Sequence, residues 1–436
     1  MGISAQDLLG IANCDVENLE VREKDGKSFK YIALNYTGEV PEFCSECGCT
    51  PLHRHGSRTM EIIDTPMGGM PVVLAITYPR FRCTSCGAVW KPSFDDSIDE
   101  TRKLTQRAFV AIAQQSIRNT FRDVTNDFMI SHNTVQRVFT EFLEAYESIL
   151  HFKTPAFLGI DEIKIPKLGE ITVVTDLEHR TLFDMLPKRN QPALTKYFGE
   201  LRDRDQVLWV CSDMYRPFEK SIASSLPNAR WAIDHFHVVA KANEAVDSVR
   251  KTIQDSMDKK ERIQTKKDLA YTLKKRLRDL DVEEGDKIKQ IRSSPKHAPM
   301  AIAFDLKEDF FNIYDENPTS KDNAIKAFEA WEKSIPEDEI YQKFRDLAGT
   351  VHNFYEQIFN YWECPIAISN GFTECTNRLI RENNLRGRGY SFEVLRGRTL
   401  FRKTNLTRVL ENGLIYGPKI EEEEPNFYHE ADDEDD

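Results

Sequence analysis

The chain has 436 residues, 40% of them hydrophobic and 30% charged, enough for two to four domains with buried cores. No apolar run approaches the ~20 residues of a membrane span, and the start of the chain lacks a basic region followed by an apolar stretch, so an integral membrane protein is not expected and a cytoplasmic one is. The net charge of −12 does not exclude nucleic acid: ten of the 71 acids crowd into 421–436, and without them the acids nearly balance the 59 basic residues.

Residues 1–40 read as a weakly structured lead-in with a helix and one strand at 31–36. From 41 to 92 the chain is rich in Cys, Gly and Pro. Cys44-Ser-Glu-Cys47-Gly48 and Cys83-Thr-Ser-Cys86-Gly87 are two C-x-x-C-G units. Two residues between thiolates let one turn aim both sulfurs at one ion, and two such turns complete a tetrahedral zinc site. The Gly after each pair permits a positive φ. Four thiolates leave no open position, so the zinc is expected to be structural, a staple for a domain with little apolar core. Cys49 and His53 or His55 are possible substitute ligands. The nine cysteines of the chain point to metal rather than to a disulfide framework in a reducing compartment. Arg54, His55, Arg58, Arg80 and Arg82 make the region basic, either for DNA contact or as a solvated face.

Residues 101–150 have helical periodicity. Phe121, Val124 and Phe128 fall on one face, Ile130 is the expected buried turn residue, and Ser131 can cap a second helix with Val135, Val138 and Phe139 inside. That helix would present His132, Asn133, Thr134, Gln136 and Arg137 outward, side chains suited to bases and phosphates. The pattern is that of a helix-turn-helix, although the turn lacks the usual Gly and an ordinary helical hairpin is the alternative. Six basic against two acidic residues in 101–140 favour a DNA face.

Next, Phe157-Leu-Gly-Ile-Asp161-Glu162 reads as an apolar strand ending in acids. Residues 171–176 and 181–186 continue a meander, 191–201 are helical, 207–213 form a fourth strand ending in Asp213, and 229–233 form a fifth before Asp234. This is the element order of the ribonuclease-H-like fold, whose divalent-metal site uses an acid on the first strand and another after the fourth. Hard carboxylates suit Mg²⁺, and two such ions can activate water and stabilise a leaving oxygen in phosphodiester cleavage. Residues 235–363 are helical and highly charged. A third acid must come later: Ser369-Asn370-Gly371 opens a helix on which Glu374, Asn377 and Arg381 share a face. Eight basic and two acidic residues lie between Arg378 and Lys403, and Arg378, Arg381, Arg386 and Arg388 suit a phosphate backbone. The His235-Phe-His237 pair after Asp234 either contributes to the metal site or opens a helix, with a packing or phosphate role. Trp209, Trp231 and Trp362 read as core. The fourteen basic and nine acidic residues of 251–296 form a solvated helical face or a DNA track. The acidic 421–436 should not fold.

The paired knuckles with His55-Gly56, the two-helix pattern, Gly159-Ile-Asp161-Glu162, Ser212-Asp213-Met-Tyr215, Asp234-His235-Phe236-His237-Val238, and Ser369-Asn370-Gly371 with Glu374 and Asn377 occur here in one order. In that order they resemble the ISL-three family of bacterial insertion-sequence transposases, over roughly residues 40–415. The resemblance implies a DDE-type enzyme with Asp161, Asp213 and Glu374 as the triad, using Mg²⁺ or Mn²⁺. Asp234, His235, His237 and Asn377 are secondary candidates. The implied partner is double-stranded DNA, as terminal inverted repeats and target, with a homo-oligomer assembled on it near the bacterial nucleoid.

The expected architecture is multidomain, α+β and α/β. It comprises a lead-in (1–40), a zinc-binding domain (41–92), a helix-turn-helix (101–150), a ribonuclease-H-like core (156–234 and 364–416) interrupted by a helical insertion (235–363), and a disordered tail (421–436). Two rivals remain at this level: a DNA-binding regulator that no longer cuts, and a zinc hydrolase using His235 and His237. The intact acids count against the first and the absence of H-E-x-x-H against the second.

Overall fold

The computed structural model describes residues 5–50, 52–94, 96–402, 408–409 and 415–416; the expectation for the tail, 421–436, falls outside them. Two compact units form: Met1–His151 with Asn383–Arg402, and Phe152–Glu382 with Lys403–Asp436.

The first unit opens with α1 (Ala5–Leu9), followed by β1 (Cys14–Lys24), β2 (Lys27–Tyr36), β3 (Leu52–Met67), β4 (Met70–Cys83) and the short β5 (Val89–Trp90), β6 (Ile98–Asp99) and β7 (Leu104–Thr105). The strand order is β1-β2-β4-β3-β7-β6, with β5 beside β4. The weakly structured lead-in expected for 1–40 is therefore wrong, because β1 and β2 form a full antiparallel hairpin. Its turn is Asp25-Gly26, both at positive φ (51° and 73°), the conformation two-residue hairpins favour. Leu19 and Val21 on β1 stay exposed, so the apolar residues of that strand did not advertise a buried face. The zinc region is also less starved of core than expected. Ile32 and Leu34 of β2, Ile62 of β3 and Val72, Leu74 and Ile76 of β4 are fully buried, each contributing about 1.5–3 kcal/mol.

Three helices follow: α2 (Gln106–Arg118), α3 (Phe121–Phe128) and α4 (His132–Ile149). Thr105, Thr120 and Ser131 each accept a hydrogen bond from the amide three residues on, which satisfies an orphan N–H at each helix start. Thr105 also donates to the buried Asp64 on β3 at 2.7 Å, and the Arg107 Nε donates to the same carboxylate at 2.6 Å. Phe121, Val124, Phe128, Val135, Val138 and Phe139 are buried, as their spacing predicts. Ile130 is only half-buried, contrary to expectation. The turn is made instead by Met129, which takes the left-handed conformation (φ 53°, ψ 38°) that a Gly usually supplies.

The second unit begins with β8 (Phe157–Ile165), β9 (Gly169–Asp176) and β10 (Thr181–Leu186), then α5 (Gln191–Glu200), β11 (Trp209–Ser212), α6 (Arg216–Ser225) and β12 (Arg230–Ile233). The sheet order is β10-β9-β8-β11-β12. The first three strands are antiparallel, and β8, β11 and β12 run parallel. One expectation needs correcting: the first strand does not end in acids. Asp161 and Glu162 sit mid-strand, because Ile163 and Ile165 continue the inward alternation to Ile165.

Helices then dominate: α7 (His235–Asp255), α8 (Lys259–Leu269), α9 (Val282–Ser293), α10 (Ala298–Asp315), α11 (Lys321–Ser334), α12 (Gln342–Asn353) and α13 (Tyr355–Phe359). They pack around Val246, Phe304, Phe310, Phe328 and Phe344 in one apolar cluster that also takes in Trp231. Within the charged 251–296 stretch, ion pairs such as Lys275–Glu284 (2.7 Å) and Lys296–Glu261 (2.6 Å) offset many of the cations. α14 (Gly371–Arg386) starts in the second unit, and from Asn383 the chain belongs to the first, where α15 (Phe392–Leu400) follows. β13 (Arg408–Val409) and β14 (Ile415–Tyr416) pair with each other. Among the described residues no helix is long and apolar enough to cross a membrane.

Candidate functional site

The zinc knuckles are built alike. The Gly48 N–H donates to the Cys44 carbonyl at 2.8 Å and the Gly87 N–H to the Cys83 carbonyl at 3.0 Å, each Gly at positive φ (69° and 77°). The register of β3 and β4 brings the two turns together, since Leu52 pairs with Cys83. The four sulfurs of Cys44, Cys47, Cys83 and Cys86 lie within 4.8 Å of one another, the one such grouping among the described residues. The Cys44–Cys86 and Cys47–Cys83 separations are 3.7 and 3.6 Å. A tetrahedron of Zn–S bonds near 2.3 Å has edges of about 3.8 Å, so the donor set fits zinc. The Cys86 amide pulls the Cys83 thiol down to about 6, while Cys47 and Cys86 are shifted up beside it, so in the metal-free cluster the thiolate character concentrates on Cys83. Cys49, His53 and His55 stay outside the cluster.

The acids of the second unit meet through sheet register. Parallel pairing of Trp209 with Phe157 and Cys211 with Gly159 brings the end of β11 alongside β8, and Asp213, the next residue after β11, lies close enough to Asp161 to act on its charge. α14 is docked above them. Buried Asn370 donates to the Ile160 carbonyl at 2.9 Å, and the Thr373 and Thr175 hydroxyls are 2.7 Å apart. The Asn377 Nδ2 donates to the Asp161 Oδ2 at 2.6 Å, while its Oδ1 is buried without a partner.

Burial raises the Asp161 pKa above the usual carboxylate value, and Asp213 and Glu374 push it the same way against the Glu162 amide and His237. Asp213 is likewise raised, chiefly by burial, with His237 opposing. Glu374 itself is exposed, and the three carboxylates do not form a grouping as tight as the four thiols. Glu162 points to Arg189, and burial lifts its pKa to about 7.

The secondary candidates separate. Asp234 is fully buried and caps α7 by accepting from the Phe236 N–H at 3.3 Å; its Oδ2 has no partner. His235 packs against the rings of Tyr314 and Tyr361, at 5.6 and 5.2 Å. His237 lies near enough to act electrostatically on Asp161 and Asp213, and its Nε2 is buried without a partner. The helical start sends the two histidines apart, which removes the geometry a shared His235–His237 metal site would need. Of the proposed DNA contacts, His132, Asn133, Gln136, Arg137, Arg378, Arg381, Arg386 and Arg388 are exposed, as is Ser131, and Thr134 is half-buried.

Sequence reasoning quoted Gly159 and Asn370 but missed what they do. A Cβ on Gly159 would stand 2.5 Å from the Thr175 hydroxyl and 2.8 Å from Asn370 Oδ1. Only Gly lets α14 sit this close to β8. Gly159→Ala should unseat α14 and lower stability by about 1–3 kcal/mol, with a larger fall in activity. Thermal unfolding and turnover of the same preparation check it.

A family model described as a transposase, of the DDE type and the ISL-three group, matches residues 158–399. A second model, the zinc-finger of transposases IS204/IS1001/IS1096/IS1165, matches residues 41–86. No curated protein matches the chain. The first match spans more than half of the sequence: the chain belongs to the ISL-three family of insertion-sequence transposases. With the four-cysteine cluster it carries that family's zinc ribbon.

Proposed function

We propose that this transposase binds the ends of its insertion sequence and cuts and joins DNA strands at Asp161, Asp213 and Glu374. The single observation that carries the reading is the gathering of Asp161 on β8 and Asp213, the residue after β11, where Asp213 and the α14 residue Glu374 both act electrostatically on Asp161. The strand order β10-β9-β8-β11-β12, three strands antiparallel and the rest parallel, supports a ribonuclease-H-like core. Capped α3 and α4, joined through Met129, support a helix-turn-helix with α4 as the recognition helix.

The oxygen donors of the three acids suit Mg²⁺ or Mn²⁺ rather than zinc, and the unpartnered Asn377 Oδ1 and His237 Nε2 beside them fit a polar ligand. A divalent ion held there would make water a nucleophile at neutral pH and stabilise the leaving oxygen. Asn377 fixes the orientation of Asp161 by its hydrogen bond. Arg378 and Arg381 are exposed on α14, which supports their holding the phosphate backbone. The partner is double-stranded DNA, on which we expect a homo-oligomer to assemble. Incubating the protein with its gene's flanking DNA should give nicks at the element boundary with Mg²⁺ and none with EDTA. A boundary left intact in Mg²⁺ and in Mn²⁺ would favour the regulator that binds without cutting.

A further inference from the structure

The stretch Arg386-Gly-Arg388-Gly-Tyr390 begins at the last residue of the proposed catalytic helix, yet it belongs to the first unit. Its shape is fixed. The Arg388 N–H donates to the Leu385 carbonyl and the Gly389 N–H to the Asn384 carbonyl, both at 3.0 Å, and the Asn384 side chain accepts from the Tyr390 N–H at 3.1 Å. Arg388 and Gly389 both take positive φ (57° and 99°). A Cβ on Gly387 would stand 2.0 Å from the Tyr390 ring, so that ring is seated on the glycine.

Tyr390 also fixes where the loop lies. Its ring meets Phe121 edge-on at 5.6 Å, and Phe121 meets His132, the first residue of α4, at 5.6 Å. The loop is thus built beside the N-terminal end of α4. Arg388 is rooted within about 7 Å of Tyr390 along the chain, close enough to reach a phosphate flanking a groove about 12 Å wide.

The charges are exposed and uncompensated. Arg386 and Arg388 are exposed, and neither has an ion pair among the described residues. Buried Arg398 stacks on Tyr390 at 4.8 Å. Its pKa is lowered by burial first, and by the neighbouring cations Arg402 and Arg386. Asp123 is the acid near Tyr390 and Arg398, but it forms no ion pair with Arg386 or Arg388, and exposed like charges of this kind suit a polyanion.

We infer that Arg386 and Arg388 form a phosphate clamp that grips the duplex backbone beside the groove entered by α4. The clamp positions the recognition helix and carries no sequence information itself. This rests on α4 being that helix, and the test separates the two.

Full-length, zinc-loaded protein is titrated with a duplex bearing the element end and with a shuffled duplex across a salt series. Arg386→Gln with Arg388→Gln should weaken both duplexes alike, by tenfold or more at low salt. The slope of log affinity against log salt should become shallower by about 2, roughly 0.9 for each phosphate released. Ethylation interference should disappear at phosphates next to the α4 footprint. An unchanged slope overturns the clamp, as does interference lost only beside the scissile bond. Asn133→Ala with Gln136→Ala should instead abolish the preference for the element end at an unchanged slope. If that variant keeps its preference, α4 is not the reader, while the clamp still stands or falls on its own slope.

Discussion

Asp161→Ala should reduce Mg²⁺-dependent strand cleavage by about 10²–10³ or more, while affinity for element-end DNA stays within a few-fold. Asp161 lies under α14, tied to Asn377 and close to Asp213. The surface proposed to read DNA belongs to the other unit, so the loss falls on chemistry and not on recognition. Asp213→Ala should behave in the same way.

Without metal, these acids strain the fold. Burial raises Asp161 and Asp213 above ordinary carboxylates and lifts Glu162 to about 7. A folded state with raised acid pKa values holds protons that the unfolded state releases. That stabilisation is complete below the unfolded values near pH 4 and disappears as pH climbs through the folded ones, up to about 7 for Glu162. Metal-free protein should therefore lose melting temperature as pH rises from 4 to 7, and Mg²⁺ should restore the part due to Asp161 and Asp213 while the part due to Glu162, which faces Arg189, remains. Asp161→Asn should flatten the first effect and abolish the second. Cleavage on labelled duplexes and melting with and without Mg²⁺ give both readouts. Normal cutting by Asp161→Ala would place the reaction elsewhere.

Cys83→Ser should release the zinc and melt the knuckle end of β3 and β4 first. Apparent zinc affinities of such four-ligand sites correspond to about 10–16 kcal/mol, which is folding free energy. Cys83 closes β4 and is buried, so its loss breaks both the metal site and the strand end. The rest of the sheet has its own core in Ile62, Leu74 and Ile76, so the unit should lose its low-temperature transition without unfolding completely. Metal analysis and calorimetry test this; stoichiometric zinc in a variant lacking all four thiols would refute the assignment.

Much of this was legible because it depends on local pattern. The C-x-x-C-G turns, the Ser131 cap and the apolar faces of α3 and α4 follow from spacing alone. The strands leading to Asp161 and Asp213 were legible as apolar runs, although the end of β8 was set three residues too early. What failed depends on distant partners. β1 shows few buried residues of its own and is held by its pairing with β2. The demand for Gly159 comes from Asn370 and Thr175, and the place of Tyr390 comes from Phe121. Nothing in the sequence near either residue names its partner.

The return of Asn383–Arg402 to the first unit has a consequence for biosynthesis. Arg398 donates to the carbonyls of Ser116 and Asn119, closing contacts across 282 and 279 positions of chain. A ribosome must therefore make the whole intervening unit before the last turn of α2 receives its partner. Domains that are continuous in sequence fold as they emerge, N-terminal first, but this one stays unfinished until the chain has been translated through Arg402. A nascent chain in which Arg398 has not yet emerged would lack the finished surface.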